Sequence, residues 1–423
     1  MTSPMRFRQR VAVSLTPASL EADSRAFRIA TSLAEAGFRS IIVEARASAQ
    51  RFWDDRIEVR SPSAQISTGS GGRASLTRGA VAALRSGALG APGELALYFG
   101  FRLHDWRNHL RRLRALLPAA DLYYLHSFEL YRLVAEQAAR LGAPVVYDAH
   151  DFYRGIEPVE RLRPFDRNRL RPYLDRLEDR LVARADAVVT VSDGVAALME
   201  GKLGRRPAVI RNCHDARLDR RPARDLRQVL RLAPRDRLAV VAGNAKAGMA
   251  IDTAADAFAL LADRFHLAFV GRGYEATAAR LQSHPAADRL HFMGGLAPNE
   301  IVPFIAGADL GLVLYEHCSD NYRAALPNGF FQVIAAGLPV VRGVLPEIEA
   351  AIAGRAVGIP LPTLDAPSLA KAVDACAMRA AALRPAVAAL AQELSWETES
   401  ARLLRLVDRL LARNGSPRAV AAG

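Results

Sequence analysis

Along this chain, short apolar runs alternate with stretches in which apolar residues recur at helical spacing. Val11–Leu15, Ser40–Val43, Leu122–Leu125, Val145–Tyr147 and Ala187–Val191 read as strands, the last three each followed by polar residues and a helix. Arg25–Ala36 reads as an amphipathic helix stopped by Gly37. A second series opens at Leu238–Ala242 and continues through Leu267–Val270, Leu290–Phe292, Leu310–Leu314 and Pro339–Val341. The pattern predicts an α/β chain with two doubly wound parallel sheets in tandem, each covered by helices on both faces. Ligands in such sheets bind beyond the carboxyl ends of the strands, so the expectation is two Rossmann-like domains facing a central cleft.

The stretch Ser61–Gly93, rich in Ser, Gly and Ala, reads as irregular. Arg205–Arg235 is dense in Arg and Pro and holds the predicted linker. From Arg379 the chain is nearly all helix, ending in the small-residue tail Ala419–Gly423. The expected domains are 1–212 and 213–392, with 393–423 a helix returning to the first domain plus a tail.

The most informative segment is Asn321–Val341. It reads as a loop, a helix start at Pro327, one short apolar helix, a stop at Gly337 and a buried strand. The amides of Asn328, Gly329 and Phe330 are then expected to point outward together. Orphan N–H groups and the helix dipole favour an anion there, and Gly329 leaves room for a phosphate to approach.

Composition narrows the class. With 423 residues, 51% of them apolar and 24% charged, the chain is globular and long enough for two cores. No apolar run is long enough for a transmembrane helix, and the short run after Arg10 reads as a first strand rather than a signal peptide. Cys213, Cys318 and Cys376 are few and widely spaced, which points to a reducing compartment and against a disulfide framework. The expected location is therefore cytoplasmic. The 57 basic residues outnumber the 44 acidic ones, giving +13. Either this reflects an Arg-rich proteome, or it serves phosphate-rich ligands or an anionic membrane. Nucleic acid is not expected, since there is no basic tail or aromatic-interleaved basic patch. From Leu103 to Leu117, apolar residues at helical spacing alternate with Arg107, Arg111, Arg112 and Arg114. That is either a surface helix packed on the core or a peripheral contact with the inner face of the membrane.

Candidate chemistry sits at strand ends. His126 follows one strand, as either a sugar-site residue or a helix cap. Asp148 and His150 follow another and share a face if the strand continues, so the carboxylate could orient the imidazole for acid–base work. A metal site would need a third ligand that the spacing does not supply. Asp23, Arg25 and Arg28 open the first long helix, with Asp23 readable as an N-cap and Arg28 as a solvated charge. The loop before them lacks the dinucleotide glycine pattern, which argues against a nicotinamide enzyme. In the second series, Gly243-Asn244-Ala245-Lys246 follows the first strand, placing a Lys where it could reach a diphosphate. Gly271-Arg272-Gly273 follows the next strand as a tight turn open to a nucleotide.

Taken in order, these pieces resemble glycosyltransferase family 4 and its relatives of the two-domain GT-B fold. The resemblance is carried by Asp23–Gly37, Ala120–His126, Val146–Asp151, Leu177–Arg180, Arg184–Ser192, Asn212 and Leu326–Val341. It implies a retaining sugar transferase that takes a nucleotide-diphosphate sugar as donor substrate and needs no dinucleotide cofactor or metal. The acceptor is expected to be a glycan, a lipid-linked sugar or a small molecule, with cell-surface polysaccharide biosynthesis as the setting. The implied donor site comprises Gly243, Asn244, Lys246, Gly271, Gly273, Asn321, Pro327, Asn328, Gly329, Phe330 and Gln332. His126, Asp148 and His150 are the catalytic candidates. Three positions depart from the family pattern. Gln332 stands where a Glu usually holds the ribose, Ala324 where an earlier Glu contacts the sugar, and Gly329 where a Lys is common. These departures leave two alternatives, a non-catalytic nucleotide-sugar-binding scaffold and an epimerase of the same fold.

Overall fold

The structure is a computed structural model describing residues 9–48, 54–62, 109–156, 166–316 and 319–414. Most of the Ser61–Gly93 stretch, Arg107 of the basic stretch, Cys318 and the tail Ala419–Gly423 lie outside the described residues.

The interior apolar runs become parallel strands because they are buried on both faces. In β1 (Val11–Thr16) all six residues are buried. It is followed by β2 (Arg39–Glu44), β3 (Ile57–Arg60), β4 (Leu122–Leu125), β5 (Val145–Ala149), β6 (Ala187–Thr190) and β7 (Ala208–Val209). These form a seven-stranded sheet in the order β3-β2-β1-β4-β5-β6-β7. The second series gives β8 (Arg237–Ala242), β9 (Phe265–Val270), β10 (Leu290–Met293), β11 (Leu310–Val313), β12 (Val340–Gly343) and β13 (Gly358–Leu361). They form a six-stranded sheet in the order β10-β9-β8-β11-β12-β13. The strand order reverses between β1 and β4 in one sheet and between β8 and β11 in the other. Those reversals are where doubly wound sheets open a crevice at their carboxyl ends.

The sequence reading did not anticipate β3, β7 or β13. β3 (Ile-Glu-Val-Arg) is an edge strand with only Ile57 buried, β7 has two residues, and β13 carries Pro360. Each therefore lacks the continuous apolar run that marks an interior strand.

The helices that matter below are α1 (Ser24–Glu35), α2 (Asp193–Leu203), α3 (Asp320–Arg323), α4 (Asn328–Ala335), α5 (Ala366–Glu393) and α6 (Trp396–Asn414). The predicted first helix appears as α1, with Asp23 as its N-cap accepting the Ala26 amide at 3.0 Å. The chain forms two compact units. One comprises residues 1–148, 162–187 and 408–423, and the other 149–161 and 188–407. Two apolar clusters cover the faces of the six-stranded sheet, one around Phe330, Val333 and Leu338, the other around Phe258, Phe269 and Leu369. Among the described residues no helix is long and apolar enough to cross a membrane.

Candidate functional site

In the second unit, the predicted phosphate-binding segment lies at the reversal of the six-stranded sheet. Helix α4 leads into β12 and packs its start against β8. Gly329 is the reason it can: a Cβ there would fall 2.5 Å from the carbonyl oxygen of Ala242, the last residue of β8. Any side chain at 329 would push the helix start off the strand end. Pro327 takes the N-cap position with extended backbone (φ −73°, ψ 146°), one residue before the place expected from sequence. The expectation of three outward amides is corrected. Phe330 donates its N–H to the Pro327 carbonyl at 3.0 Å, while the Asn328 and Gly329 amides have no acceptor among the described residues. Asn328 is exposed, and Phe330 and Phe331 are buried and anchor the helix in the core. Two backbone donors beside an exposed Asn, backed by the helix dipole, are an arrangement that can bind an anion.

The loops after β8 and β9 complete this end of the sheet by backbone contact. A Cβ on Gly271 would sit 2.1 Å from the Gly243 carbonyl oxygen, so only glycine lets the two turns meet. Gly243 (φ 132°) and Gly273 (φ 87°) also adopt backbone that favours glycine. Gly243 N–H donates to Val270 O, and Ala245 N–H to Arg272 O, both at 2.9 Å. The Asn244 side chain accepts from Arg272 N–H at 2.9 Å, and Tyr274 OH donates to Gly243 O at the same distance. Lys246 is exposed on this braced loop. On its far side Tyr322 of α3 donates its hydroxyl to the Ala247 carbonyl and packs near Tyr315, whose ring centroid lies 5.6 Å away. Tyr274 and Tyr322 were not singled out from sequence, because nothing in their local spacing reports a bond to a carbonyl in another loop.

Asn321 stands differently from its predicted role. Its Oδ1 accepts from the Phe152 amide at 2.7 Å and its Nδ2 donates to Asp151 at 3.0 Å. Both ends of the amide thus hold the 151–152 turn rather than facing a ligand. Gln332 is half-buried one turn into α4, and its Oε1 is buried with no hydrogen-bond donor among the described residues. Ala324 is closed in: its carbonyl accepts from Ser192 Oγ at 2.8 Å, and its methyl lies 3.1 Å from where a Cβ on Gly194 would be. The Oε1 of Glu347 lies 2.7 Å from that same point. Burial raises the pKa of Glu347, opposed by hydrogen bonds from the Gly194 and Asp193 amides at the start of α2.

In the first unit, the catalytic candidates His126 and Asp148 lie at the carboxyl ends of β4 and β5. His126 is 1% exposed, with its ring 5.2 Å from that of Tyr124. Asp148 is fully buried, and its Oδ2 accepts from Arg25 Nε at 2.8 Å and from Tyr124 OH at 2.9 Å. The Asp148 Oδ2 is thus committed to Arg25 and Tyr124. Burial works against the Arg25 charge, but Asp148 with Tyr124 and Asp23 outweighs it and holds the pKa above its ordinary value. Burial and the Asp148 charge push the Tyr124 hydroxyl well up, so it remains a donor. Arg28, read from sequence as a solvated charge, is 8% exposed. His150, in the second unit, is half-buried just past β5. Of the basic stretch, Arg111, Arg112 and Arg114 are exposed, Leu113 is buried, and Arg114 pairs with Glu136 at 2.8 Å.

Two doubly wound parallel sheets in tandem are the architecture of the GT-B class of transferases. Residues 22–213 match the family described as glycosyl transferase 4-like domain, and residues 236–378 match glycosyl transferases group 1. The chain belongs to glycosyltransferase family 4 and is an enzyme that transfers sugar from a nucleotide sugar. Among solved structures, sucrose-phosphate synthase from Thermosynechococcus elongatus is similar at TM-score 0.65 and 15% identity, covering 96% of this chain and 100% of that one. Anabaena HepE in complex with UDP and glucose is similar at TM-score 0.64 and 16% identity, covering 95% of this chain and 100% of its own. WaaG, a glycosyltransferase involved in lipopolysaccharide biosynthesis, is similar at TM-score 0.61 and 13% identity, covering 94% and 99% of the two chains. No curated protein matches the chain.

Proposed function

We propose that this enzyme is a retaining transferase whose second unit holds a nucleotide-diphosphate sugar and whose first unit receives a glycan, lipid-linked or small-molecule acceptor in cell-surface polysaccharide biosynthesis. The observation that carries the donor half is the α4 start, where the Asn328 and Gly329 amides have no acceptor among the described residues and Gly329 seats the helix on Ala242. The diphosphate lies against those amides. Lys246, on the loop braced by Tyr322, takes up charge as the sugar–phosphate bond breaks. Gly243, Gly271 and Gly273 let the nucleotide approach backbone, and Gln332 offers its unfilled Oε1 to a ribose hydroxyl. His126 lines the acceptor side, with Asp148 positioning Arg25 and Tyr124. Rate comes from placement and electrostatics in a preorganised site. Anabaena HepE has also been solved in complex with UDP-glucose, which makes uridine donors the first to test. Any membrane contact of the first unit rests on the charges of Arg111 and Arg112, because Leu113 faces inward.

The test is a panel of uridine, guanosine, adenosine and thymidine diphosphate sugars, read by thermal shift and by release of nucleoside diphosphate. One donor raises the melting temperature by mass action and is turned over. Silence across the whole panel in both readouts sinks the reading.

A further inference from the structure

The reversal point of the seven-stranded sheet is occupied by an unusual amount of buried polarity. Ser14 and Tyr124 are register partners on β1 and β4, so they share a face of the sheet. Tyr124 pairs in register with Val146, and Asp148, two residues on, lies on that face too. Arg25 reaches this face from the first turn of α1 and is 1% exposed.

Hydrogen bonding here leaves donors over at Arg25. The acceptors on Asp23 are used, Oδ1 by the Ala26 amide and Oδ2 by Thr16 Oγ1 at 2.6 Å. Asp148 Oδ2 accepts two donors. On the donor side, a guanidinium has five N–H groups. Only Nε–H of Arg25 has a partner, while Nη1 and Nη2 are both buried and unpartnered among the described residues. Ser14 Oγ is likewise buried without a partner among them. A buried donor left unfilled is destabilising, and more so when it is charged. The unfilled end of the guanidinium is a planar fork whose geometry matches two oxygens of a carboxylate or phosphate.

We infer that the Arg25 fork, at the β1–β4 reversal, is the binding site for an oxyanion, a carboxylate or phosphate group carried by the acceptor. This deepens the reading of the first unit as the acceptor side and rests on it. Asp148 and Tyr124 hold the guanidinium by its Nε edge, leaving the Nη edge for the ligand. The acceptor class is thus an acidic or phosphorylated sugar rather than a neutral one.

The experiment follows the Arg25 Nε–H resonance of the full chain by NMR, assigned by its absence in Arg25→Lys. Inorganic phosphate or acetate is titrated against chloride at constant ionic strength. A saturable shift of that resonance with phosphate, acetate or both, and none with chloride, is the expected result. Phosphate alone assigns a phosphosugar, and acetate alone a uronic acid or similar. In Arg25→Lys, thermal protection by the effective anion falls about tenfold in affinity, because an ammonium cannot fork. The wild-type titration stands even if the variant folds poorly. An Arg25 resonance that neither anion moves means that water fills the four unused donors, and the proposal falls. Phosphate bound at the α4 turn leaves the Arg25 resonance unmoved and so counts against it too. Donor binding is read separately by nucleotide-sugar thermal shift, so failure there overturns the donor reading without silencing the Arg25 titration.

Discussion

The two sheets reverse their strand order in the same way but fill the resulting crevices with different material. At the β8–β11 reversal the chain supplies backbone: the Asn328 and Gly329 amides, and turns that meet through Gly243 and Gly271. At the β1–β4 reversal it supplies side chains: Arg25, Tyr124 and Asp148, all essentially out of water. A backbone site suits a group common to many donors, because its donors are fixed by the fold. A side-chain site can be retuned by single substitutions, which suits the partner that varies. The cost differs as well. Glycine sites lose conformational entropy on folding, whereas buried charges lose solvation and depend on one another.

That contrast can be broken most severely at Asp148. Asp148→Ala leaves Arg25 buried and unpaired and should cost about 3–5 kcal/mol, read as lost hydrogen-exchange protection in β1 and β4. The double variant Arg25→Met/Asp148→Leu should recover most of that protection while abolishing the anion response. If the single variant is as stable as wild type, the charge network is not what holds this reversal together. Next, Gly329→Ala should cost about 1–3 kcal/mol, since its methyl meets the Ala242 carbonyl and α4 must shift. Calorimetry should show weaker nucleoside diphosphate binding alongside, and unchanged binding would show that the α4 start is not the phosphate seat. A smaller effect is expected for Tyr322→Phe. Losing one neutral hydrogen bond to Ala247, about 0.5–1.5 kcal/mol, should weaken donor affinity by roughly two- to tenfold with little change in melting temperature.

The mildest effect is on pH dependence, away from either reversal. His266 on β9 and His291 on β10 are 3.1 Å apart, Nδ1 to Nε2. Burial, with the neighbouring ring, lowers His291 from 6.5 to about 4, and burial lowers His266 as well. The unfolded chain therefore binds these protons first. Stability of the second unit should be full above pH 6.5 and decline as pH falls towards 4. The variant His266→Gln/His291→Gln should flatten that slope in urea titrations at stepped pH, while the first unit keeps its own profile.

Much of this was legible in the sequence where a local signal and a tertiary outcome coincide. Interior strands such as Val11–Leu15 announce themselves because both faces are buried, and edge strands such as Ile57–Arg60 do not. The glycine-started helix was readable, since Pro, Gly and an apolar run carry the pattern within a few residues. The partners of its neighbours were not. Asn321 commits its amide to Asp151 and Phe152, some 170 residues earlier in the chain, and no spacing rule reports that. Arg28 looked solvated because an Arg near a helix start usually is, yet α1 turns it inward, as it does Arg25. Phe330 was counted as a free donor, but the first turn closes on Pro327 instead.

The Gly243–Gly271 contact has a practical consequence for anyone redesigning the enzyme. With 2.1 Å between the Gly243 oxygen and the place a methyl would take, saturation libraries at 271 will return almost entirely inactive clones. Variation aimed at a new sugar belongs on Lys246, which is exposed on the same braced loop.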